Sequence, residues 1–137
     1  MESEFKRVHP GPRWELIFGS FDGVERTAVV ALQQILQYYL PYTLVVRHAA
    51  DTAAEELEHA AVIGTPSSNP LIAGLIASGR LAAPEGAEGY SLALQDSPWK
   101  PGCRLLVVAG SDARGALYGA HEAAARLFCG GTLLDGF

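Results

Sequence analysis

One segment near the C-terminus, residues 105–128, constrains the fold of this chain more than any other. It begins with four consecutive apolar residues, Leu105–Val108, a pattern typical of a strand that is covered on both faces. Ser111 and Asp112 follow, and Asp112 is placed to accept a backbone N–H and cap the start of a helix. A buried strand that passes directly into a capped helix favours an α/β domain.

Two glycines, Gly115 and Gly119, lie inside the predicted helix. Each is less favourable there than alanine by about 1 kcal/mol, so helix propensity does not explain them. Because they are four residues apart, they share one helix face. We therefore expect this face to approach another backbone closely, with Tyr118 beside the contact. Tight packing explains the glycines better than a ligand does, because the rest of the helix is rich in alanine.

Five short runs of apolar and β-branched residues predict strands. The last two runs are joined by a tight connection and are expected to pair antiparallel, whereas strands joined through helices are expected to be parallel neighbours. The acidic segment between the second and third runs predicts a short exposed helical turn. The predicted strands are Trp14–Phe18, Thr43–Val46, Ala60–Ile63, Tyr90–Leu94 and Arg104–Ala109.

Two further helices are predicted between these strands. Asp22 begins the first, with Glu25 three residues later in a capping-box arrangement, and Pro41 ends it. Asn69 caps the second, Pro70 takes its first position, and the helix runs to Gly79. The sequence thus predicts an α/β (α+β) domain in two or three layers, with a mixed sheet of about five strands and three main helices. We expect residues 1–13 to form an extended segment and residues 14–137 a single domain.

Composition excludes several functional classes. The chain has 137 residues and a net charge of −5, and its basic residues are scattered, which argues against nucleic acid or an anionic membrane as a partner. Cys103 and Cys129 adjoin apolar segments and are predicted to be reduced core residues. The N-terminus lacks the apolar run of a signal peptide, which predicts a cytoplasmic protein as the chain stands and leaves export of a longer parent open.

The motifs that carry chemistry are incomplete. His121 and Glu122 begin a zinc-protease pattern, but Ala125 stands where the second histidine belongs, so no metal site is predicted. The loop at residues 64–69 has no phosphate-loop ending and is interpreted as a polar surface turn. Residues 18–24 resemble the strand-to-helix turn of nucleotidylyltransferases that make FAD, but the paired histidines are missing. A small nucleotide-binding or nucleotidylyltransferase-like domain therefore stays as an alternative.

Three aromatic residues offer another alternative, a stand-alone carbohydrate-binding or interaction module. Trp14, Tyr90 and Trp99 have rings on which a sugar could stack. They form no evident surface row in the sequence, so packing in the core or in a hairpin explains them better.

Four segments of the chain, in order, resemble one known family. They are residues 22–28 (DGVERTA), 62–66 with 70–72 (VIGTP and PLI), 88–90 (EGY) and 108–119 (VAGSDARGALYG). Together they are similar to the N-terminal domain of bacterial and fungal α-glucuronidases, closest to the xylan α-1,2-glucuronidases of glycoside hydrolase family 115. Related domains precede the catalytic barrels of β-N-acetylhexosaminidases. The resemblance spans roughly residues 14–128, and its last segment is the most specific.

The resemblance implies a non-catalytic accessory domain of a carbohydrate-active enzyme, with a zincin-like fold that lacks the metal. In that family the hydrolytic carboxylates belong to a following (β/α)₈ barrel of about 250 residues, which this chain does not contain. The implied partner is that barrel, with carbohydrate a further possibility, and no cofactor is implied. An excised domain and a short protein that kept only this fold both remain open. The residues expected to form a structural motif or domain contact are Ser111, Asp112, Arg114, Gly115, Tyr118 and Gly119.

Overall fold

A computed structural model describes residues 13–130 of the chain, with side chains described as far as Arg126. The predicted extended segment therefore lies outside the described residues except for Arg13. Within residues 13–130 the chain forms five strands and three α-helices. In chain order these are β1 (Trp14–Phe18), α1 (Gly23–Tyr39), β2 (Val45–His48), β3 (His59–Gly64), α2 (Pro70–Ala77), β4 (Tyr90–Asp96), β5 (Arg104–Gly110) and α3 (Ala113–Gly130).

The described strands form one mixed sheet in the order β2-β1-β3-β5-β4. The first four strands in this order are parallel, and β4 pairs antiparallel with β5, with Leu92 opposite Val108. Helices α1 and α3 pack on one face of the sheet and α2 on the other. The mixed sheet and the antiparallel last pair are thus confirmed, and of the two predicted layer arrangements the three-layer one is present.

The central strands β3 and β5 are covered on both faces because helices lie above and below them. All six residues of β3 are buried, and so are residues 105–110 of β5. Along β5 the side chains alternate: Leu106 and Val108 join the core under α1 and α3, and Leu105 and Val107 join the core under α2. The continuous apolar run at residues 105–108 is thus covered on both faces, as the sequence predicts.

Strand β2 begins two residues later than the predicted Thr43. The cause is Gln37 on α1, whose side chain binds the backbone just before the strand. Its amide nitrogen donates to the carbonyl oxygen of Tyr42 at 2.7 Å, and its amide oxygen accepts from the backbone N–H of Leu44 at 2.7 Å. These backbone groups are therefore held by a side chain. The acidic segment after β2 contains two short 3₁₀ turns, Ala49–Asp51 and Ala54–Glu56.

The capping box predicted at the start of α1 is wrong. Asp22 makes no side-chain capping bond, and Glu25 is only 6% exposed. The Glu25 carboxylate instead accepts a hydrogen bond from the hydroxyl of Ser68 at 2.6 Å, from the loop that follows β3. This charge-assisted bond to a distant loop takes the carboxylate away from the helix end. The cap of α2 is confirmed, since Asn69 Oδ1 accepts from the N–H of Leu71 at 3.0 Å.

Cys103 is a free, buried cysteine, as predicted. Burial raises the pKa of its thiol, with a further contribution from the nearby Glu58 carboxylate. The neutral thiol is therefore the form that its site favours. The side chain of Cys129 lies outside the described residues.

The burial of His59 predicts that the stability of the domain depends on pH. It is 8% exposed, its ring stacks on Trp14 with centroids 5.1 Å apart, and its Nδ1 accepts from the N–H of Arg104 at 2.9 Å. Burial lowers the His59 pKa, Glu58 opposes this effect, and Arg104 adds to it. The unfolded chain therefore binds a proton at His59 more readily than the folded chain does. The contribution of neutral His59 to stability is complete above about pH 6.5 and is lost as the pH falls below that value.

We expect the free energy of unfolding, measured by urea titration, to fall between pH 7 and pH 5. In the His59→Asn variant, which keeps an acceptor near Nδ1 but cannot titrate, this dependence is expected to be shallower. Equal slopes for the variant and the natural chain would contradict the assignment.

Candidate functional site

The β5–α3 corner, residues 110–119, is joined to the loop at residues 85–90 by a set of hydrogen bonds. The hydroxyl of Ser111 donates to the carbonyl oxygen of Gly86 at 2.6 Å and accepts from the N–H of Gly89 at 3.1 Å. The backbone N–H of Ser111 donates to the carbonyl oxygen of Gly89 at 2.8 Å. One serine therefore fixes the corner to the loop from both its side chain and its backbone.

Asp112 extends this connection and also caps α3. One carboxylate oxygen accepts from the N–H of Gly115 at 2.8 Å, which is the predicted N-cap bond. The other accepts from the N–H of Glu88 at 3.0 Å, which lies in the adjoining loop. The bond from Glu88, followed by that from Gly115, lowers the Asp112 pKa, because both favour the ionised carboxylate.

The loop adopts a backbone conformation that the corner helps to hold. Glu88 has a φ of +59°, an uncommon value for a residue with a side chain. Its N–H is bound to Asp112, and its carboxylate lies 3.4 Å from the guanidinium of Arg114. The Arg114 side chain is 66% exposed, so this ion pair contributes little to stability by itself.

The two glycines of α3 have different neighbours. A Cβ added to Gly115 would collide with the carbonyl oxygen of Gly89, so the expected close backbone approach is present at this position. A Cβ added to Gly119 would lie 3.0 Å from Val108 Cγ1 and 3.3 Å from the Tyr90 Cβ, which are side-chain atoms. The backbone approach predicted for both glycines therefore holds at Gly115, whereas Gly119 makes room for the side chains of the sheet.

The six candidate residues thus form one corner with several kinds of contact. Ser111, Asp112 and Gly115 bind or pack against the adjoining loop, while Arg114 pairs with that loop at the surface. Tyr118 is 43% exposed, and Tyr90, which packs against Gly119, is 40% exposed. The corner therefore combines a rigid joint with partly exposed aromatic side chains.

A second cluster lies where β1 and β3 end, at the carboxyl edge of the sheet. The connections after these strands lead to helices on opposite faces, so this is a topological switch point, where ligands bind in many α/β proteins. Here the chain itself fills the crevice. A Cβ on Gly19 would lie 2.8 Å from the Asn69 Cβ and would also meet the Ser68 carbonyl oxygen. The buried Glu25 carboxylate beside Ser68 disfavours a phosphate group at this place.

Asn69 has a role in this cluster beyond the cap that the sequence predicts. Its side chain is fully buried, and Nδ2 donates to the carbonyl oxygens of Ile63 at 3.0 Å and Ile17 at 3.4 Å. One amide therefore joins the ends of β1 and β3 to the start of α2. No local sequence signal indicates the bond to Ile17, which lies 52 residues away in the chain.

The aromatic residues considered for sugar stacking do not share a surface. Trp14 is 2% exposed and stacks on His59, and Trp99 is half-buried in the core on the α2 side. Tyr90 lies at the start of β4, 40% exposed. The packing interpretation is thus confirmed for Trp14, and these three residues do not make a joint stacking platform.

The described residues show neither a metal-binding cluster nor a membrane-spanning helix. Among residues 13–126, whose side chains are described, no group of three or more His, Cys, Asp and Glu residues could hold a metal ion. Glu122 instead pairs with Arg126 one helical turn later, at 3.1 Å. In the same part of the chain, none of the helices is both long and apolar enough to cross a lipid bilayer.

Comparison with known proteins identifies a related fold. No protein-family profile and no curated protein sequence matches the chain. Among solved structures, a GH138 enzyme targeting pectin rhamnogalacturonan II matches with a TM-score of 0.52 and 15% sequence identity. The match covers 89% of this chain and 14% of that enzyme, so the chain corresponds to a small part of it. The chain therefore has an α/β fold that also occurs within a much longer glycoside hydrolase.

Proposed function

We propose that this chain is a non-catalytic accessory domain of an α-glucuronidase-like glycoside hydrolase and supports a catalytic (β/α)₈ barrel. The fold match supports this most directly, since nearly the whole chain corresponds to only 14% of a carbohydrate-active enzyme. The ordered resemblance of four segments to α-glucuronidase N-terminal domains supports the finer assignment.

The carboxylates of the two polar clusters also support a structural role. Asp112 accepts two backbone N–H groups, and Glu25 is buried against Ser68. Both carboxylates are therefore engaged in holding loops to helices. General acid–base hydrolysis requires instead a pair of carboxylates that flank a bound glycosidic bond.

The β5–α3 corner is the proposed stabilising element of the domain and a candidate contact with the barrel. Its joint to the loop at residues 85–90 gives a rigid base, and Tyr90 and Tyr118 offer partly exposed aromatic surface beside it. Tyrosine is enriched in protein interfaces because it combines a large apolar ring with a polar hydroxyl.

The test compares the 137-residue chain with the full protein encoded by its gene. We expect the full protein to hydrolyse an aryl α-glucuronide or a glucuronoxylan fragment, and the 137-residue chain to show no turnover. A reading frame that encodes no glycosidase-like barrel would contradict the proposal. Hydrolysis by the 137-residue chain alone would contradict its non-catalytic role, and calorimetric binding of ATP or FMN would favour the nucleotide-binding alternative.

A further inference from the structure

The outer surface of α1 lacks charge over an unusual length. Residues 27–46 contain no Asp, Glu, Lys or Arg, although 18% of the chain is charged. The segment covers most of α1 and continues into β2. A solvated helix normally carries charged residues on the face that points away from the core. The missing charges therefore require an explanation beyond the packing of α1 on the sheet.

The uncharged surface is shaped as a groove between α1 and α3, which we call the α1–α3 groove. It has a volume of about 480 Å³, and a second depression of about 450 Å³ adjoins it along α1. Tyr38 borders both and is 74% exposed, the most exposed of the large hydrophobic side chains in the described residues. The groove is lined by Ala31, Gln34, Ile35, Tyr38, His121 and Ala124.

This composition is that of an interface core. Such cores are depleted in charged residues and enriched in tyrosine, which buries a large area at a low cost in side-chain entropy. Gln34 supplies an amide that can pair with a partner without the desolvation cost of a charge. A partner that fits the groove is therefore a neutral, largely apolar protein surface with a few hydrogen-bonding groups.

The direction of α3 places its C-terminal end close to the α1–α3 groove. Gly119 packs on Val108, and Ala123 lies beside Leu106, so α3 runs back along β5 in the opposite direction. Helix α1 also returns from the carboxyl edge of the sheet, because it joins the parallel strands β1 and β2. The C-terminal ends of both helices therefore lie at one end of their layer, near Tyr38. A domain that follows α3 is tethered there at a high effective concentration.

We propose that the α1–α3 groove, with Tyr38 at its centre, is the surface on which the domain that follows α3 in the same polypeptide docks. The inference rests on the proposed function, since it requires such a domain, and it adds a contact on the helical layer to the candidate contact at the β5–α3 corner. The matching enzyme is consistent with it, because the shared fold accounts for only 14% of that chain.

Thiol labelling of Tyr38→Cys tests the proposal. The variant is labelled with a maleimide in the 137-residue chain and in the full protein encoded by the gene, and the tryptic peptide 27–47 is quantified by mass spectrometry. That peptide contains no native cysteine. We expect labelling to be at least about tenfold slower in the full protein, since docking would leave the site open in less than a tenth of the molecules. Ala77→Cys, on the opposite face of the sheet, is the matched control and should be labelled equally in both.

The possible results separate the inference from the proposed function. Equal labelling of Tyr38→Cys in both proteins, with an active hydrolase, would overturn the docking surface and leave the accessory role intact. A reading frame without a hydrolase domain would overturn both. A dimer of the 137-residue chain by light scattering, lost in Tyr38→Glu, would assign the groove to a second copy and overturn the inference.

A charge substitution provides an independent measurement. Gln34→Lys places a charge in the groove, and Ala77→Lys places one on α2. We expect Gln34→Lys to lower the melting temperature of the full protein without changing that of the 137-residue chain, because the charge would be buried only on docking. Ala77→Lys should leave both unchanged. A full protein insensitive to Gln34→Lys would contradict the docking surface.

Discussion

Replacing Gly115 by alanine is expected to lower the free energy of unfolding by about 2–3 kcal/mol, the cost of overpacking a rigid site. Helix propensity alone predicts the opposite, a gain of about 1 kcal/mol. The steric effect is expected to dominate because the added Cβ would collide with the carbonyl oxygen of Gly89. That carbonyl is held in place by the N–H of Ser111, at 2.8 Å. Urea unfolding of the 137-residue chain measures the change.

Gly74→Ala is the matched control. Gly74 also lies inside a helix, but a Cβ there meets no atom within 4 Å. This variant is therefore expected to stabilise the domain by about 0.5–1 kcal/mol, as helix propensity predicts. If both substitutions stabilise the chain, the contact between α3 and the loop at residues 85–90 is not as close as the structure indicates.

Changing Asn69 to aspartate is expected to lower the free energy of unfolding by about 3 kcal/mol or more at pH 7. The substitution keeps the shape of the side chain and the acceptor that caps α2. It removes the amide that donates to the carbonyl oxygens of Ile17 and Ile63, and it places a buried negative charge against them. The loss comes from an uncompensated charge, since the cap is retained.

The same amide-to-carboxylate change at an exposed position is the control. In the 137-residue chain, Gln34→Glu on the surface of α1 is expected to alter stability by less than about 0.5 kcal/mol. The deficit of Asn69→Asp should also shrink as the pH is lowered, because a protonated carboxyl group can donate a hydrogen bond again. A small effect at pH 7, equal to that of Gln34→Glu, would contradict the role assigned to the Asn69 amide.

The parts of the fold that the sequence predicts correctly depend on local patterns. The apolar run at residues 105–108 identifies a doubly covered strand, and Asn69 followed by Pro70 identifies a helix start. In each case neighbouring residues determine the structure, so the pattern is sufficient. The Asp112 cap is of the same kind, since the acceptor and the N–H of Gly115 are three residues apart.

The errors arise where a side chain binds a distant segment. The sequence pattern places Glu25 in a capping box, but the partner of its carboxylate is Ser68, 43 residues away. Gln37 binds the backbone of Tyr42 and Leu44 across the turn that follows α1, so β2 begins later than the sequence predicts. Such bonds depend on the tertiary arrangement of the elements, and a single sequence carries no periodic signal for them.

The sequence predicts only part of the candidate site, because some of its contacts also join segments that are distant in the chain. The glycines in α3 indicate a close approach, but they do not identify the loop at residues 85–90 as its partner. The uncharged residues 27–46 are visible in the sequence, yet their meaning depends on the structure, which shows that Tyr38 and the groove remain exposed. A lack of charge on a helix becomes informative only when the face that lacks it is known.

The order of the strands has a consequence for the synthesis of the chain. The ribosome releases β1, α1 and β3 long before β5, yet β5 lies between β3 and β4 in the finished sheet. The apolar face of α1 is completed by Ala116, Ala120 and Ala123, which are made later still. A nascent chain that ends before β5 has no strand on that side of β3, and one that ends before α3 leaves one side of its core in water. Stable folding must therefore wait until α3 has left the ribosome, and a chain stalled or truncated before β5 would expose the aggregation-prone edge of β3.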